Sequence, residues 1–450
     1  MKKFNREKAL RKIEFQRKWR RYSRYVYIAM PCVLCGILGL YLAYSKFFVT
    51  QENDVVQTKV GDFVYGDVII NNYVNGQYTV EAPARGTGYK VDKIVCDNGA
   101  VGEWSGKDWG PIISNVTRRS KCNIYFVDAE KVNIGNVAVP LDDYRLCPTV
   151  NSDGTVTVTE TESQYGYLCK AKDAYGDSYY YRGNVTNNYV KFAGFYWRII
   201  RINGDGTVRV IYDGTSAHAN GELSEDRQIG TTAFNSSYND NAYVGYMYGK
   251  TGASTYVETH TNTNNSTIKT YLDTWYENNI KGTTNEQYIA DNIFCNDRSF
   301  ASNNRGTGAG TSTTDYRLNS YDDNPNKNNM MLTCPQKNDA FTVNDTSKGN
   351  GALTYGIGLV TTDEGVLAGG WNSENSKYYL YSGQHYWTMS PSPFNATNGA
   401  ANEHVVHSSG FAEARGTVNG SFGARPVFNL KSEVLLQGTG TASDPYHLAS

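Results

Sequence analysis

The sequence has few of the residues on which catalytic chemistry most often depends. Of 450 residues only six are histidine and eight are cysteine, and residues 385–429 contain no cysteine. Three catalytic motifs are also absent: the G-x-S-x-G nucleophile turn, the G-x4-G-K-[ST] phosphate loop and the H-E-x-x-H zinc helix. No enzyme class that has one of these signatures is therefore predicted.

Charged residues are also scarce, and they are distributed unevenly. They make up 19% of the chain. Residues 1–24 hold eleven Lys or Arg against two Glu, a net charge of +9. The remainder has 32 basic and 42 acidic residues, a net charge of −10. Nucleic-acid binding requires a basic face, so no nucleic-acid partner is predicted.

One stretch, residues 25–44, contains no charged residue at all. Its twenty residues, as a helix, are just long enough to cross the hydrocarbon core of a bilayer. The basic flank favours a cytoplasmic N-terminus. We therefore expect a cytoplasmic tail over 1–24, a transmembrane helix over 25–45 and an extracellular portion from 46 to 450. A cleaved signal peptide is the alternative.

The cysteines outside this stretch form an even set in the portion expected to be exported. In such a compartment an even set is typical of disulfide bonds. We predict pairing in sequence order, because each such pair closes a short local loop; free thiols are the alternative. The six residues are Cys96, Cys122, Cys147, Cys169, Cys295 and Cys334.

Short alternating runs separated by turn residues predict a small β-sandwich over residues 51–130. These runs lie at 63–65, 67–70, 77–80, 93–96 and 123–127. Residues 131–164 are poorer in large apolar side chains and are interpreted as a connector. A larger second domain is predicted over 165–450.

The second domain is organised around residues 189–212. Two apolar runs, 190–202 and 207–212, flank Asn203-Gly204-Asp205-Gly206, which is a strong hairpin signal. We expect Trp197 and Phe428 to be buried in one sheet. A helix is predicted from Ser266 or Thr267, with apolar residues at helical spacing: Ile268, Tyr271, Leu272 and Trp275.

Four polar stretches interrupt the second domain, at 220–241, 251–265, 302–329 and 394–420. We interpret them as long surface loops, the places where binding function usually resides. Disorder in part of them is the alternative. In particular, a loop over 391–422 is expected to project from one end of the sheet.

The order of the motifs YYYRG, YVKFAGFYWRIIRINGDG, CNDRS, YWTMSPS and GARPVFNL over residues 165–450 resembles a known fold. It is similar to the C-type-lectin fold of the formylglycine-generating-enzyme type. That group includes uncharacterised bacterial surface domains and retroelement variable proteins. The resemblance implies a C-type-lectin-like head with long loops over this range. Together with the transmembrane helix and the small β-sandwich predicted above, the expected fold class is α+β, mostly β.

The same resemblance argues against the catalytic activities of this fold. Its oxidising enzymes use a cysteine pair near the closing strand, and no cysteine lies there in this chain. Its iron enzymes use an H-x3-H-x-E spacing, whereas His404 and His407 lie in a polar segment. Asp205 and Asp322-Asp323 offer oxygen ligands for calcium, but none matches the twelve-residue calcium loop. No cofactor or metal is predicted.

The sequence therefore predicts a membrane-anchored cell-surface protein with a non-catalytic ligand-binding or adhesion head. Its expected partners are the membrane and an extracellular glycan or protein. The alternatives are a cell-envelope enzyme acting on glycan or protein, and a purely structural envelope protein. The candidate ligand-binding residues are Trp371, Trp387, Asn402, His404 and Phe411.

Overall fold

The computed structural model forms two compact units. The first comprises Met1–Ala82 and Val91–Phe126, and the second Pro83–Lys90 and Val127–Ser450. The chain is mostly β, with 36% strand and 15% helix. The structure describes residues 11–12, 14–19, 68–83, 89–105, 110–117, 119–128, 131–134, 137–140, 147–162, 164–300, 306–308, 312–318, 328–371, 373–412, 414–435 and 437–448.

The structure corrects one part of the predicted fold class. Among the residues described above, no helix combines the length and the apolar character that crossing a membrane requires. The predicted N-terminal transmembrane helix is therefore not supported. The stretch on which that prediction rested, residues 25–44, lies outside the described residues, as does the predicted strand at 63–65.

The first unit contains a four-stranded sheet and a separate hairpin. The sheet order is β2-β1-β6-β3, with β1 parallel to β6 and antiparallel to β2, and β4 pairs with β5. Alternate residues of β6 face the interior: Cys122, Ile124 and Phe126 are fully buried. The strands are β1 (Ile69–Val74), β2 (Gln77–Thr79), β3 (Tyr89–Cys96), β4 (Val101–Ser105), β5 (Gly110–Ser114) and β6 (Lys121–Asp128).

The second unit contains most of the strands, arranged mainly in a six-stranded and a five-stranded sheet. The strands are β7 (Lys131–Ile134), β8 (Val137–Pro140), β9 (Thr149–Val150), β10 (Val156–Thr157), β11 (Gly166–Asp173), β12 (Gly176–Gly183), β13 (Tyr189–Phe192), β14 (Phe195–Ile202), β15 (Val208–Gly214), β16 (Thr231–Thr232), β17 (Met247–Tyr248), β18 (Asn264–Asn265), β19 (Phe294–Cys295), β20 (Asn329–Met330), β21 (Ala340–Phe341), β22 (Tyr386–Asn395), β23 (Ala400–Val406), β24 (Ala414–Thr417), β25 (Phe422–Gly423) and β26 (Val427–Leu430).

The six-stranded sheet has the order β11-β12-β14-β15-β26, with β13 paired to β14. The five-stranded sheet has the order β16-β25-β22-β23-β24, and a smaller three-stranded sheet the order β20-β10-β9. The remaining strands form two-stranded pairs.

The predicted hairpin is present as β14 and β15. Its turn closes through the amide of Gly206, which donates to the carbonyl of Asn203 at 2.9 Å. Gly206 has φ +85°, a conformation that glycine adopts without a steric penalty. β26 pairs with β15, and the rings of Trp197 and Phe428 lie 4.9 Å apart, both fully buried. The prediction that these two residues share a sheet is confirmed.

Short helices complete the second unit. The predicted one is α2, and Ser266 is its N-cap, accepting the amide of Lys269 at 3.2 Å. Ile268 and Leu272, one turn apart, are fully buried. The α-helices are α1 (Tyr256–Thr259), α2 (Thr267–Asn279), α3 (Thr313–Leu318) and α4 (Thr362–Leu367); 3-10 turns lie at Glu225–Arg227, Asn241–Val244, Glu286–Tyr288, Lys337–Asp339 and Ser432–Leu435.

The six cysteines pair in sequence order, as predicted. The S–S distances are 2.02 Å for Cys96–Cys122, 2.02 Å for Cys147–Cys169 and 2.14 Å for Cys295–Cys334. Each bond closes a local loop of 22 to 39 residues.

The prediction of a projecting loop over 391–422 is wrong. Much of that stretch belongs to strands β22, β23 and β24, and every residue of β23 is buried. The segment is polar in composition, yet Ala401 and Val405 alternate along β23 on one face of the sheet. The turn between β22 and β23 is held by Asn395, whose side-chain oxygen accepts the amide of Thr397 at 3.0 Å.

Candidate functional site

The five candidate ligand-binding residues do not share one exposed surface. Trp387, Asn402 and His404 are buried, and this burial argues against direct contact of these three with a ligand. The indole nitrogen of Trp387 donates to the carbonyl of Thr232 at 2.8 Å. The side-chain amide of Asn402 donates to the carbonyl of Pro393 at 2.9 Å.

Trp371 and Phe411 are only partly buried. Their segments are adjacent, because the amide of Ala412 donates to the carbonyl of Gly370. Phe411 also connects to buried Trp387 through a continuous set of aromatic contacts. The structure thus brings Trp371, Phe411 and Trp387 into one region of the second unit.

We call this set of contacts the aromatic row; it consists of Phe411, His407, His385 and Phe422, with Trp387 beneath. The ring of Phe411 stacks on His407 at 4.5 Å, and His407 meets His385 edge-on at 4.3 Å. His385 stacks on Phe422 at 5.6 Å, and Phe422 meets Trp387 at 4.8 Å. The first four rings are partly exposed, whereas Trp387 is fully buried. The row therefore presents a partly exposed aromatic surface on a rigid base.

Local backbone structure positions one end of the row. The amide of His407 donates to the carbonyl of Phe411, and the amide of Gly410 donates to the carbonyl of His407, both at 2.8 Å. Gly410 has φ +98°, which favours glycine. This tight turn brings the side chains of His407 and Phe411 together just beyond the end of β23.

One of the two histidines of the row, His385, favours the uncharged state. Burial lowers the pKa of His385, and the neighbouring His407 lowers it further. Nδ1 of His407 lies 3.1 Å from the backbone amide of Ser409. Because a backbone N–H only donates, this Nδ1 accepts, which places a ring proton on Nε2. The aromatic rings and the uncharged His385 suit an uncharged or weakly charged ligand.

A polar cleft lies elsewhere in the second unit, lined by Arg201, Arg209, Arg317, Asp363 and Glu364 among others. The space open to the centre of a water molecule is only ≈ 20 Å³, enough for about one or two waters. A substrate of larger size does not fit in this conformation.

The carboxylates of this cleft are held by guanidinium groups. Glu364 lies 3.0 Å from Arg201 and 2.6 Å from Arg209. Burial raises the pKa of Glu364, but Arg209 and Arg201 outweigh it and hold the pKa below its usual value. Asp363 accepts two hydrogen bonds from Arg317, at 3.2 and 3.1 Å. A general base needs access to a substrate proton, and these ion-paired carboxylates lack it.

A second set of buried charges surrounds Asp213. Its Oδ1 accepts from Arg227 at 2.8 Å and from Arg425 at 3.0 Å, and its Oδ2 lies 4.0 Å from Arg198. The arginines also donate to backbone carbonyls, as Arg425 does to Tyr212 and Leu380. All four charged side chains are fully buried. They cross-link strands in the core and are inaccessible to a ligand.

Glu403, on β23, is a buried titratable group of the second unit. Its side chain is fully buried, and neither carboxyl oxygen has a hydrogen-bond partner among the residues that the structure describes. Burial raises the pKa of Glu403 well above its usual value, against the opposing effect of Arg298. An ionised carboxylate without a partner is costly in such a site, so the folded state favours the protonated form of Glu403.

The adjacent His404 points to the opposite face of β23. Its Nε2 lies 3.6 Å from Oδ1 of Asp315, which also pairs with Arg415 at 2.6 Å. His404 and His407 are therefore separated, and they form no metal site together. In the described part of the chain, no group of three or more His, Cys, Asp or Glu side chains is placed to hold a metal ion.

Sequence reasoning missed three residues of the aromatic row: His385, His407 and Phe422. The sequence signal that indicates His385 is the pattern His385-Tyr386-Trp387. Alternate residues of a strand share a face, which places His385 on the same side as Trp387. Metal-ligand spacing between histidines gives no indication of a role for His385. Its contact with Phe422 comes from the sheet, because the amide of Gly423 donates to the carbonyl of His385 at 2.8 Å.

The resemblance to the formylglycine-generating-enzyme type of C-type-lectin fold stays an expectation after these observations. Compared with known proteins, the chain matches no family model, no curated protein and no solved structure.

Proposed function

We propose that the chain is an exported, non-catalytic binding protein whose second unit contacts its ligand through the aromatic row. The observation that carries the proposal is the partial exposure of four connected rings over the buried Trp387. Aromatic side chains combine a large contact area with few rotatable bonds and are enriched where proteins bind ligands. The expected ligand is an extracellular glycan or protein.

Export is supported by the three disulfides. Bonds of this kind persist in oxidising compartments and are rare in the cytosol. All three pairs stand at bonding distance. They favour an extracellular location for both units.

A binding role is favoured over an enzymatic one by the state of the buried charges. The carboxylates of the polar cleft are ion-paired, and the cleft has room for only one or two waters. A cell-envelope enzyme would require an unpaired acid or base beside a larger cavity. A purely structural role would leave the partial exposure of the four rings of the aromatic row unexplained.

The test is binding of the purified full chain to an array of glycans and extracellular proteins. Phe411→Leu and Phe422→Leu keep an apolar side chain but remove the ring. We expect each to weaken binding about tenfold, which corresponds to about 1.4 kcal/mol. Val257→Ala is the matched control, because Val257 is 72% exposed and contributes no ring to the row.

Equal binding by the wild type and both Phe variants would remove the aromatic row from the binding site. Turnover of an arrayed glycan or protein would favour the enzymatic alternative. Unfolding midpoints of both variants, measured alongside, separate a loss of binding from a loss of structure.

A further inference from the structure

The first unit carries a separate aromatic surface on one face of its sheet. Tyr73 of β1 is the register partner of Tyr78 on β2 and of Tyr125 on β6. The rings of Tyr73 and Tyr125 lie 5.1 Å apart and those of Tyr73 and Tyr78 5.9 Å apart. The ammonium of Lys93, on β3, lies over the ring of Tyr125 at 5.2 Å. We call these four side chains the tyrosine row; it crosses all four strands.

Strand alternation places the tyrosine row on the outer face of the sheet, where Tyr78 and Lys93 are exposed and Tyr73 and Tyr125 are partly exposed. Successive residues of a strand point to opposite faces of the sheet. On β6, Cys122, Ile124 and Phe126 point inward and are fully buried. Tyr125 lies between two of them and therefore points outward. Tyr78 is 60% exposed.

Polar groups next to the row add directional hydrogen bonding. Asn71 and Asn123 occupy the neighbouring register position, two residues from Tyr73 and Tyr125. The Nδ2 of Asn71 donates to the Oδ1 of Asn123 at 2.9 Å. This bond orients both amides, and the Oδ1 of Asn71 and the Nδ2 of Asn123 take no part in it. The three phenol hydroxyls lie on the same side.

The size of this face decides between a protein and a smaller ligand. With about five residues along β1, β3 and β6 and the three residues of β2, the standard strand spacing and rise give a face of about 300 Å². A stable protein–protein interface buries about 800 Å² on each partner. The face is therefore too small to hold a folded protein, or a second copy of this chain, by itself. It is long enough for a few sugar residues.

We propose that the tyrosine row is a second binding site, which takes an oligosaccharide lying across the strands. The spacing of the rings is close to the advance of one sugar residue along an extended polysaccharide. Sugar C–H groups pack on the tyrosines, and sugar hydroxyls bond to the phenols and the two amides. Lys93, at one end, pairs with a carboxylate where the sugar carries one.

The test is calorimetric titration of the full chain with two probes, a neutral glucan hexasaccharide and a polyuronate hexasaccharide. We expect at least one to bind, and Tyr78→Ala and Tyr73→Ala to weaken that binding tenfold or more. Tyr78→Phe keeps the ring and is expected to retain most of the affinity. Tyr238→Ala is the matched control, because Tyr238 is 43% exposed in the second unit.

Binding of the polyuronate that also depends on Lys93, shown by its loss in Lys93→Ala, supports the ion pair at the end of the row. Failure of both probes to bind overturns the proposal. So does binding that the two Tyr→Ala substitutions leave unchanged, or binding of poly-glutamate as strong as that of the polyuronate. The integrity of the Cys96–Cys122 bond and the unfolding midpoint of each variant show that the sheet is intact. Variants of Phe411 and Phe422 are expected to leave this binding unchanged, which separates the two sites.

Discussion

The cluster around Trp197 in the second unit and the tyrosine row of the first unit use aromatic side chains in opposite ways. In the second unit, the centre of the Trp197 ring lies 5.6 Å from that of Tyr212, 6.2 Å from that of Trp275 and 4.9 Å from that of Phe428. Trp197 has no exposed surface. In the first unit, Tyr78 extends the tyrosine row into water and is 60% exposed. The rings around Trp197 thus form a structural core, whereas the rings of the tyrosine row lie on the face of a sheet.

This difference follows from the amount of apolar surface that each unit buries. The second unit has one large cluster of buried residues that joins its main sheets. The apolar cluster of the first unit is centred on Ala100, Ile113 and Cys122. A small domain buries too little surface to be stable by packing alone and depends on covalent links. The disulfide should therefore be more important to the first unit than to the second.

The largest expected effect comes from removing the central ring of the second unit. We expect Trp197→Ala to lower the free energy of unfolding by about 3–5 kcal/mol, because it leaves a cavity among Tyr212, Trp275 and Phe428. Hydrogen exchange should show lost protection in β14 and β15 but not in β1 and β6. Tyr238→Ala is the control. A loss below about 1 kcal/mol would show that the second unit does not depend on this cluster.

The next largest effect tests the covalent link of the first unit. The Cys96–Cys122 bond spans 26 residues, for which loop closure predicts about 3–4 kcal/mol. In the double variant Cys96→Ser/Cys122→Ser, we expect the amides of β1 and β6 to lose their protection. The matched variant Cys295→Ser/Cys334→Ser should leave most of the second unit protected. An equal loss of amide protection in the two double variants would contradict the expectation that the disulfide is more important to the first unit.

A third prediction concerns the buried carboxyl of Glu403. Its raised pKa means that the folded state holds the proton more tightly than the unfolded state does. Stability is therefore unaffected below the unfolded pKa of about 4.3 and is lost as the pH rises above it. The loss is about 1.4 kcal/mol per pH unit until the folded pKa is reached.

Glu403→Gln has nearly the same shape but cannot ionise. Urea unfolding of the variant and the wild type should give similar stabilities at pH 4, with the variant gaining as the pH is raised to 8. Glu81→Gln is a control in the first unit, where the side chain is exposed. Parallel stability–pH curves for Glu403→Gln and the wild type would show that this carboxyl does not stay protonated.

Local chemistry explains which parts of the fold were predictable from the sequence. The turn at Asn203-Gly204-Asp205-Gly206, the cap at Ser266 and the three disulfides each depend on neighbours close along the chain. The burial of Trp197 and Phe428 followed from their apolar strands. In each case the local sequence is sufficient to predict the feature.

The features that the sequence did not predict depend on contacts between distant segments. Tyr73 and Tyr125 meet only because β1 and β6 pair in parallel with one register, which no local pattern specifies. Glu403 is buried because β22 and β24 flank β23, although its own segment is polar. The projecting loop over 391–422 was predicted from composition alone, and pairing of its strands overrode that composition.

The smallest expected effect concerns the tyrosine row of the first unit. Tyr78→Ala should lower the free energy of unfolding of the first unit by no more than about 1 kcal/mol, since a cross-strand aromatic pair contributes about 0.2–1 kcal/mol. Urea unfolding followed through the amides of β1 measures this, and Tyr78→Phe is the control that keeps the ring contact with Tyr73. A loss as large as that expected for Trp197→Ala would mean that the tyrosine row holds the sheet together. A small loss of stability accompanied by a large loss of oligosaccharide binding is the result expected of a surface whose rings serve a ligand.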